Sequence, residues 1–153
     1  MELLKEKFKA KAEAAGLEIK EIIKTHGTKK VGEVTLAQVY QGMRGITGLV
    51  TETSLLDAQE GIRFRGYSIP ELQAKLPKAP GGGEPLPEGL FHLMLLGELP
   101  TQEDSETITN IWQRRSHVPY HVFATIDALP ITTHPMTMFV TGVMALQTES
   151  NFA

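Results

Sequence analysis

The chain contains no cysteine, so it can build neither a disulfide framework nor a thiolate metal site, and nothing in it argues for an oxidising compartment. It also lacks any apolar run of the ~18 residues that a membrane-spanning helix needs. Arginine is absent from residues 1–30, which hold eight lysines and five glutamates. A mitochondrial presequence is arginine-rich and poor in acids, so this arm reads as mature protein. Its lysines are interleaved with glutamates and lack aromatic partners, the pattern of a solvated helix face and not of a nucleic-acid surface. Residues 31–153 carry seven basic and thirteen acidic side chains, leaving the whole chain at −3. Neither a nucleic acid nor a membrane is expected as a partner. The run Gly81-Gly82-Gly83 does not make a phosphate loop either, because Glu84 and Pro85 stand where a lysine and a serine or threonine would be needed. Residues 78–87 are expected to be a surface loop.

What is present is enough for one domain-sized core: 153 residues, 41% of them hydrophobic. From residue 2 to about 25, Leu4, Phe8, Ala12, Ala15, Ile19, Ile22 and Ile23 recur at helical spacing, with Gly27 as a stop. Lys30 to Glu33 suits a short strand, and Thr35 suits the cap of a short helix through Tyr40. Ser68 and Pro70 open another helix that Pro77 ends, and Pro87 starts an apolar one that Gly97 stops. Thr101 and Asp104 form a capping box for the next, which turns Ile108, Ile111 and Trp112 inward. Two more helices follow, His121 to Leu129 between prolines, and Pro135 to about Thr148. The last is apolar on nearly every side, with Gly142 and Met144 where another chain would touch it.

The densest chemistry lies in Gly42 to Gly66, GMRGITGLVTETSLLDAQEGIRFRG. Gly42 and Gly45 flank Arg44 on a turn free to take positive φ, an outline of an anion seat. On the residues alone, Arg44 is read first as satisfying carbonyls of its own turn. Alternation from Leu49, a break at Asp57 to Gly61 and a restart at Ile62 and Phe64 predict a hairpin, with Arg63 and Arg65 leaving the core face together. The five histidines offer no centre. His117 and His121 have a zinc-pair spacing, but Pro119 interrupts any helix between them and no third ligand is near. No metal site and no catalytic residue is assigned.

The segment GMRGITGLVTETSLLDAQEGIRFRGYSIPEL, with PLPEGLFHLMLLGELPT, HPMTMFV and LQTESNFA, closely resembles the early part of citrate synthases of the eukaryotic, mitochondrial type. The resemblance runs from about His26 to Ala153. It implies a mainly α fold of about seven helices, the first part of the family's large helical domain, with one small antiparallel β-hairpin. Residues 1–27 would be the N-terminal helix, 28–66 short strands, turn and hairpin, and 67–153 helices. By the same resemblance Arg44 contacts the phosphates of coenzyme A, a substrate thioester and not a resident cofactor; Arg63 and Arg65, on the residues alone, are read as bracing the hairpin by ion pairs. Ala58 stands where the family commonly has proline, which bears on the rigidity of that turn.

The family condenses acetyl-coenzyme A with oxaloacetate to citrate, using an aspartate base and histidines whose segments would follow Ala153. The resemblance therefore implies the N-terminal portion of such an enzyme without its acid–base set. Two alternatives stand beside it, a non-catalytic assembly subunit and one half of a split enzyme. It also implies a homodimer, or a partner supplying further helices. The mitochondrial matrix is implied as the compartment, with the cytoplasm open because no presequence is visible.

Overall fold

The computed structural model describes residues 2–150, which divide into two compact units, Met1–Ile111 and Trp112–Ala153. The chain is mainly helical, with seven α-helices and a three-stranded antiparallel sheet among the described residues. No helix among them is long and apolar enough to cross a membrane.

In the first unit α1 (Glu2–His26) runs unbroken through Gly16 and is followed by non-repetitive backbone over residues 29–35. The expected strand at Lys30 to Glu33 does not form, because no neighbouring strand is there to take its backbone hydrogen bonds. Then come α2 (Leu36–Tyr40), β1 (Ser54–Asp57), β2 (Gly61–Phe64) and β3 (Tyr67–Ser68). The hairpin pairs Ser54 with Phe64 and Asp57 with Gly61. Its turn is held by Asp57, whose Oδ1 accepts from the backbone N–H groups of Gln59 and Glu60 at 2.7 and 2.9 Å, so a proline at position 58 is not needed to shape it. A third strand absent from the sequence reading, β3, lies on the other side of β2 and leads directly into α3 (Ile69–Lys75).

The core forms where α3 meets α4 (Pro87–Leu96). Leu72, Leu76 and Leu93 are buried there, with Phe64, Tyr67, Leu90 and Leu99 packed around them. Gly97 ends α4 in the left-handed conformation at φ 75, as an αL stop should. α5 (Gln102–Arg114) starts on the Thr101–Asp104 capping box and buries Ile108 and Ser105, while Trp112 keeps about two fifths of its surface in solvent.

The second unit holds α6 (Tyr120–Asp127) and α7 (Pro135–Ala145), an antiparallel pair closed by a short loop, then a 3₁₀ turn (Leu146–Glu149). α6 begins one residue earlier and ends two earlier than the prolines suggest. α7 is one turn shorter, because its last turn tightens to 3₁₀. Gly142 of α7 packs directly against α6. A Cβ there would lie 2.9 Å from Ile126 Cδ1, so the missing side chain makes room for a residue of α6 and not for another molecule.

Three carboxylates hold backbone turns in the first unit, and all three titrate below their ordinary values. Asp57 is lowered from 3.8 by the N–H groups of Glu60 and Gln59, Glu71 from 4.5 by Ser68, and Asp104 from 3.8 by Thr101. A carboxylate lowered in the folded state stabilises above its unfolded pKa, and that contribution is lost as pH falls through the folded value. The urea midpoint of unfolding should therefore fall as pH drops below about 4. The fall should be shallower in Asp57→Asn/Glu71→Gln; an equal fall in both proteins would place the acid sensitivity elsewhere.

Candidate functional site

The turn that carries Arg44 is built from its helix. Thr35 caps α2: its Oγ1 accepts from the Gln38 N–H at 3.3 Å, and Gln38 Oε1 in return accepts from the Thr35 N–H at 3.0 Å. The same glutamine amide donates from Nε2 to the Arg44 carbonyl at 3.5 Å, so one side chain ties both ends of the segment. At the C-terminus the Met43 N–H reaches the Gln38 carbonyl at 2.8 Å and the Gly42 N–H reaches Val39 at 3.3 Å. These are the paired bonds of a Schellman motif, with Gly42 left-handed at φ 75. Met43 follows at φ 61 and Gly45 at φ 74. A left-handed methionine costs roughly 1–2 kcal/mol, so the backbone around Arg44 is imposed by the cap and not by the preference of its residues. The Arg44 guanidinium projects from this frame exposed, and among the described residues it makes no hydrogen bond or ion pair. It does not serve its own turn's carbonyls; its donors are free for a ligand.

Arg63 and Arg65 are both spent internally. Arg63 donates from Nε and Nη2 to Glu60 Oε2 at 3.1 and 2.9 Å and from Nη1 to the Gly66 carbonyl at 3.0 Å. The hydrogen bond to Glu60 raises its already high pKa. Arg65 departs from the expected alternation. Its backbone is left-handed at φ 48, which swings the side chain onto the end of α4, where Nε and Nη2 donate to the Met94 carbonyl at 3.3 and 2.9 Å. A cation on the last carbonyls of a helix is favoured by the dipole. Its Nη1 also lies 3.6 Å from Glu52. The glycine at 66 signals a turn here, but nothing in the sequence marks Arg65 as a helix cap.

The histidines do local work. His134 Nδ1 accepts from the Met136 N–H at 3.1 Å, capping α7, and His121 Nε2 lies 2.9 Å from the Ala145 carbonyl. His117 lines an open groove of about 960 Å³ in the second unit with Arg115, Pro119, Met144 and Glu149. Among the described residues no three His, Asp or Glu side chains are grouped to hold a metal ion. His92 is buried in the first unit, a placement that no spacing in the sequence signals.

The described residues are mostly helical and present Arg44, without a hydrogen bond or ion pair among them, on a braced glycine turn. The family model described as "Citrate synthase, C-terminal domain" matches residues 42–152. Mitochondrial citrate synthase of Daucus carota is 57% identical over 134 residues, 88% of this chain and 28% of that protein. That of Aspergillus niger is 52% identical over 150 residues, 98% of this chain and 32% of that protein, and that of Xiphias gladius 51% over 135 residues. The chain belongs to the citrate synthase family. It spans about a third or less of the length of these relatives.

Proposed function

We propose that this chain is the N-terminal portion of a citrate synthase, that it contributes Arg44 as a contact to the coenzyme A phosphates, and that the groups performing the condensation come from outside these residues. The observation that carries the reading is the Arg44 turn: a permanently charged fork of donors, unpaired, on a backbone that α2 and its caps hold in place. Phosphate oxygens suit such a fork, and pre-organisation means little ordering is needed when they bind. The family model begins at Gly42, so the turn lies inside the matched region. Acetyl-coenzyme A and oxaloacetate are the substrates of the complete assembly on this reading. The relatives' names say mitochondrial, which supports a mitochondrial compartment, the matrix on this reading.

The test is Arg44→Ala in a protein of the family's full length that begins with this chain. A phosphate contact of this kind is worth about 1.5–3 kcal/mol. The Michaelis constant for acetyl-coenzyme A should rise at least tenfold, with that for oxaloacetate nearly unchanged. Equal effects on both substrates, or none in the folded variant, would return Arg44 to a structural role.

A further inference from the structure

His92, on α4, is 3% exposed. Its Nδ1 lies 3.2 Å from the Glu98 carbonyl, and a carbonyl only accepts, so Nδ1 carries the proton and the neutral ring presents a bare lone pair at Nε2. That nitrogen is buried without a hydrogen-bond partner, and Asp104 Oδ1 stands 3.8 Å away. Two acceptors thus face each other across the junction of α4 and α5, an arrangement that lacks one proton.

Asp104 is held in place independently of His92. Its Oδ2 accepts from the Thr101 N–H and hydroxyl at 3.0 and 2.7 Å, and Lys7 of α1 approaches Oδ1 at 3.4 Å. The Thr101 bonds, and to a lesser degree Lys7 and His92, hold its carboxyl below 3.8, so it stays ionised throughout the range where imidazoles charge, about pH 5–8. The other charged groups around the ring are Glu98, paired with Lys11 of α1, Glu103 on α5, and Glu88 one turn back on α4, whose Oε1 accepts from Thr109. A cavity of about 330 Å³ between α1, α4 and α5, walled by Leu3, Leu4 and Ile108, leaves room for the short movement that closes the gap.

We propose that His92 is a proton-operated clasp. A proton taken from solvent at Nε2 turns the lone pair into a donor to Asp104 Oδ1, which ties α4 to the first turn of α5 and, through Lys7 on the same carboxylate, to α1. Loss of that proton opens it. A metal ion does not substitute well here, because only two ligand atoms converge and the Lys7 ammonium sits beside one of them.

Hydrogen exchange of the 153-residue chain at about pH 8 and about pH 5.5, with chelator present and rates corrected for intrinsic pH dependence, reads the clasp directly. Protection over residues 93–97 and 104–108 should rise about tenfold on acidification, the effect of one added charge-assisted hydrogen bond, while residues 54–64 stay flat. Asp104→Asn, which keeps an oxygen for Thr101, should abolish the rise, as should His92→Phe. If His92→Phe does not fold, the wild type and Asp104→Asn decide between them. A flat wild-type profile overturns the proposal, as does a rise that survives in Asp104→Asn or one that appears only when zinc replaces the chelator.

Discussion

Given acetyl-coenzyme A and oxaloacetate, the 153-residue chain by itself is expected to release no coenzyme A thiol above background. The condensation needs a base to remove a methyl proton and a donor for the enol oxygen, and a useful base holds its pKa near the working pH. The described carboxylates with perturbed titration all go the other way. Asp57, Glu71 and Asp104 are lowered by the backbone groups they cap, and Glu98 by Lys11. The first three are weak bases committed to turns and helix starts, and Glu98 is committed to its ion pair with Lys11. His121 and His134 are tied to backbone groups of α7, and His92 is enclosed between α4 and α5. None of these converges on Arg44. General acid–base catalysis alone is worth about 10²–10⁴-fold. Thiol release followed with a chromogenic disulfide, on protein freed of host enzyme, is the measurement; oxaloacetate-dependent turnover that co-purifies with the chain would sink the proposal that the chemistry lies elsewhere.

The second large effect expected is association. Each unit leaves large apolar side chains uncovered. On α7, Phe139 and Met144 are 64% and 67% exposed, and around the Arg44 turn Leu36, Tyr40, Leu49 and Val50 stand in solvent. Surface of this kind is normally covered by other protein. At micromolar concentration, sedimentation equilibrium should show dimers or larger species, and a hydrophobic dye should bind. A monodisperse monomer that unfolds cooperatively and binds no dye would show that these helices cover Phe139 and its neighbours unaided. Gly142 is not part of this surface, since Ile126 occupies the space its missing side chain leaves.

Much of the local structure was legible beforehand because its causes lie within four residues of one another. Thr35 with Gln38, Ser68 with Glu71 and Thr101 with Asp104 each close a capping box, and Pro87, Pro135 and Gly97 act at the helix ends where their backbone preferences place them. Asp57 closes the hairpin turn by the same short-range logic. The family was legible too, from long segments of residues such as GMRGITGLVTETSLLD, and the position of Arg44 with it. Three things were decided only by tertiary structure, each by which element arrives next to which. Arg65 is left-handed because it and Gly66 form the two-residue turn between β2 and β3, but that its guanidinium reaches the Met94 carbonyl is decided by where α4 ends. Lys30 to Glu33 stays out of any sheet because strand propensity without a neighbouring strand satisfies no backbone group. His92 faces Asp104 because α4 and α5 pack across a tight connection, and no spacing in the sequence encodes the 3.8 Å between a lone pair and a carboxylate. Short-range hydrogen bonds are written in residue order; the partners of a buried side chain are set by the packing of whole helices.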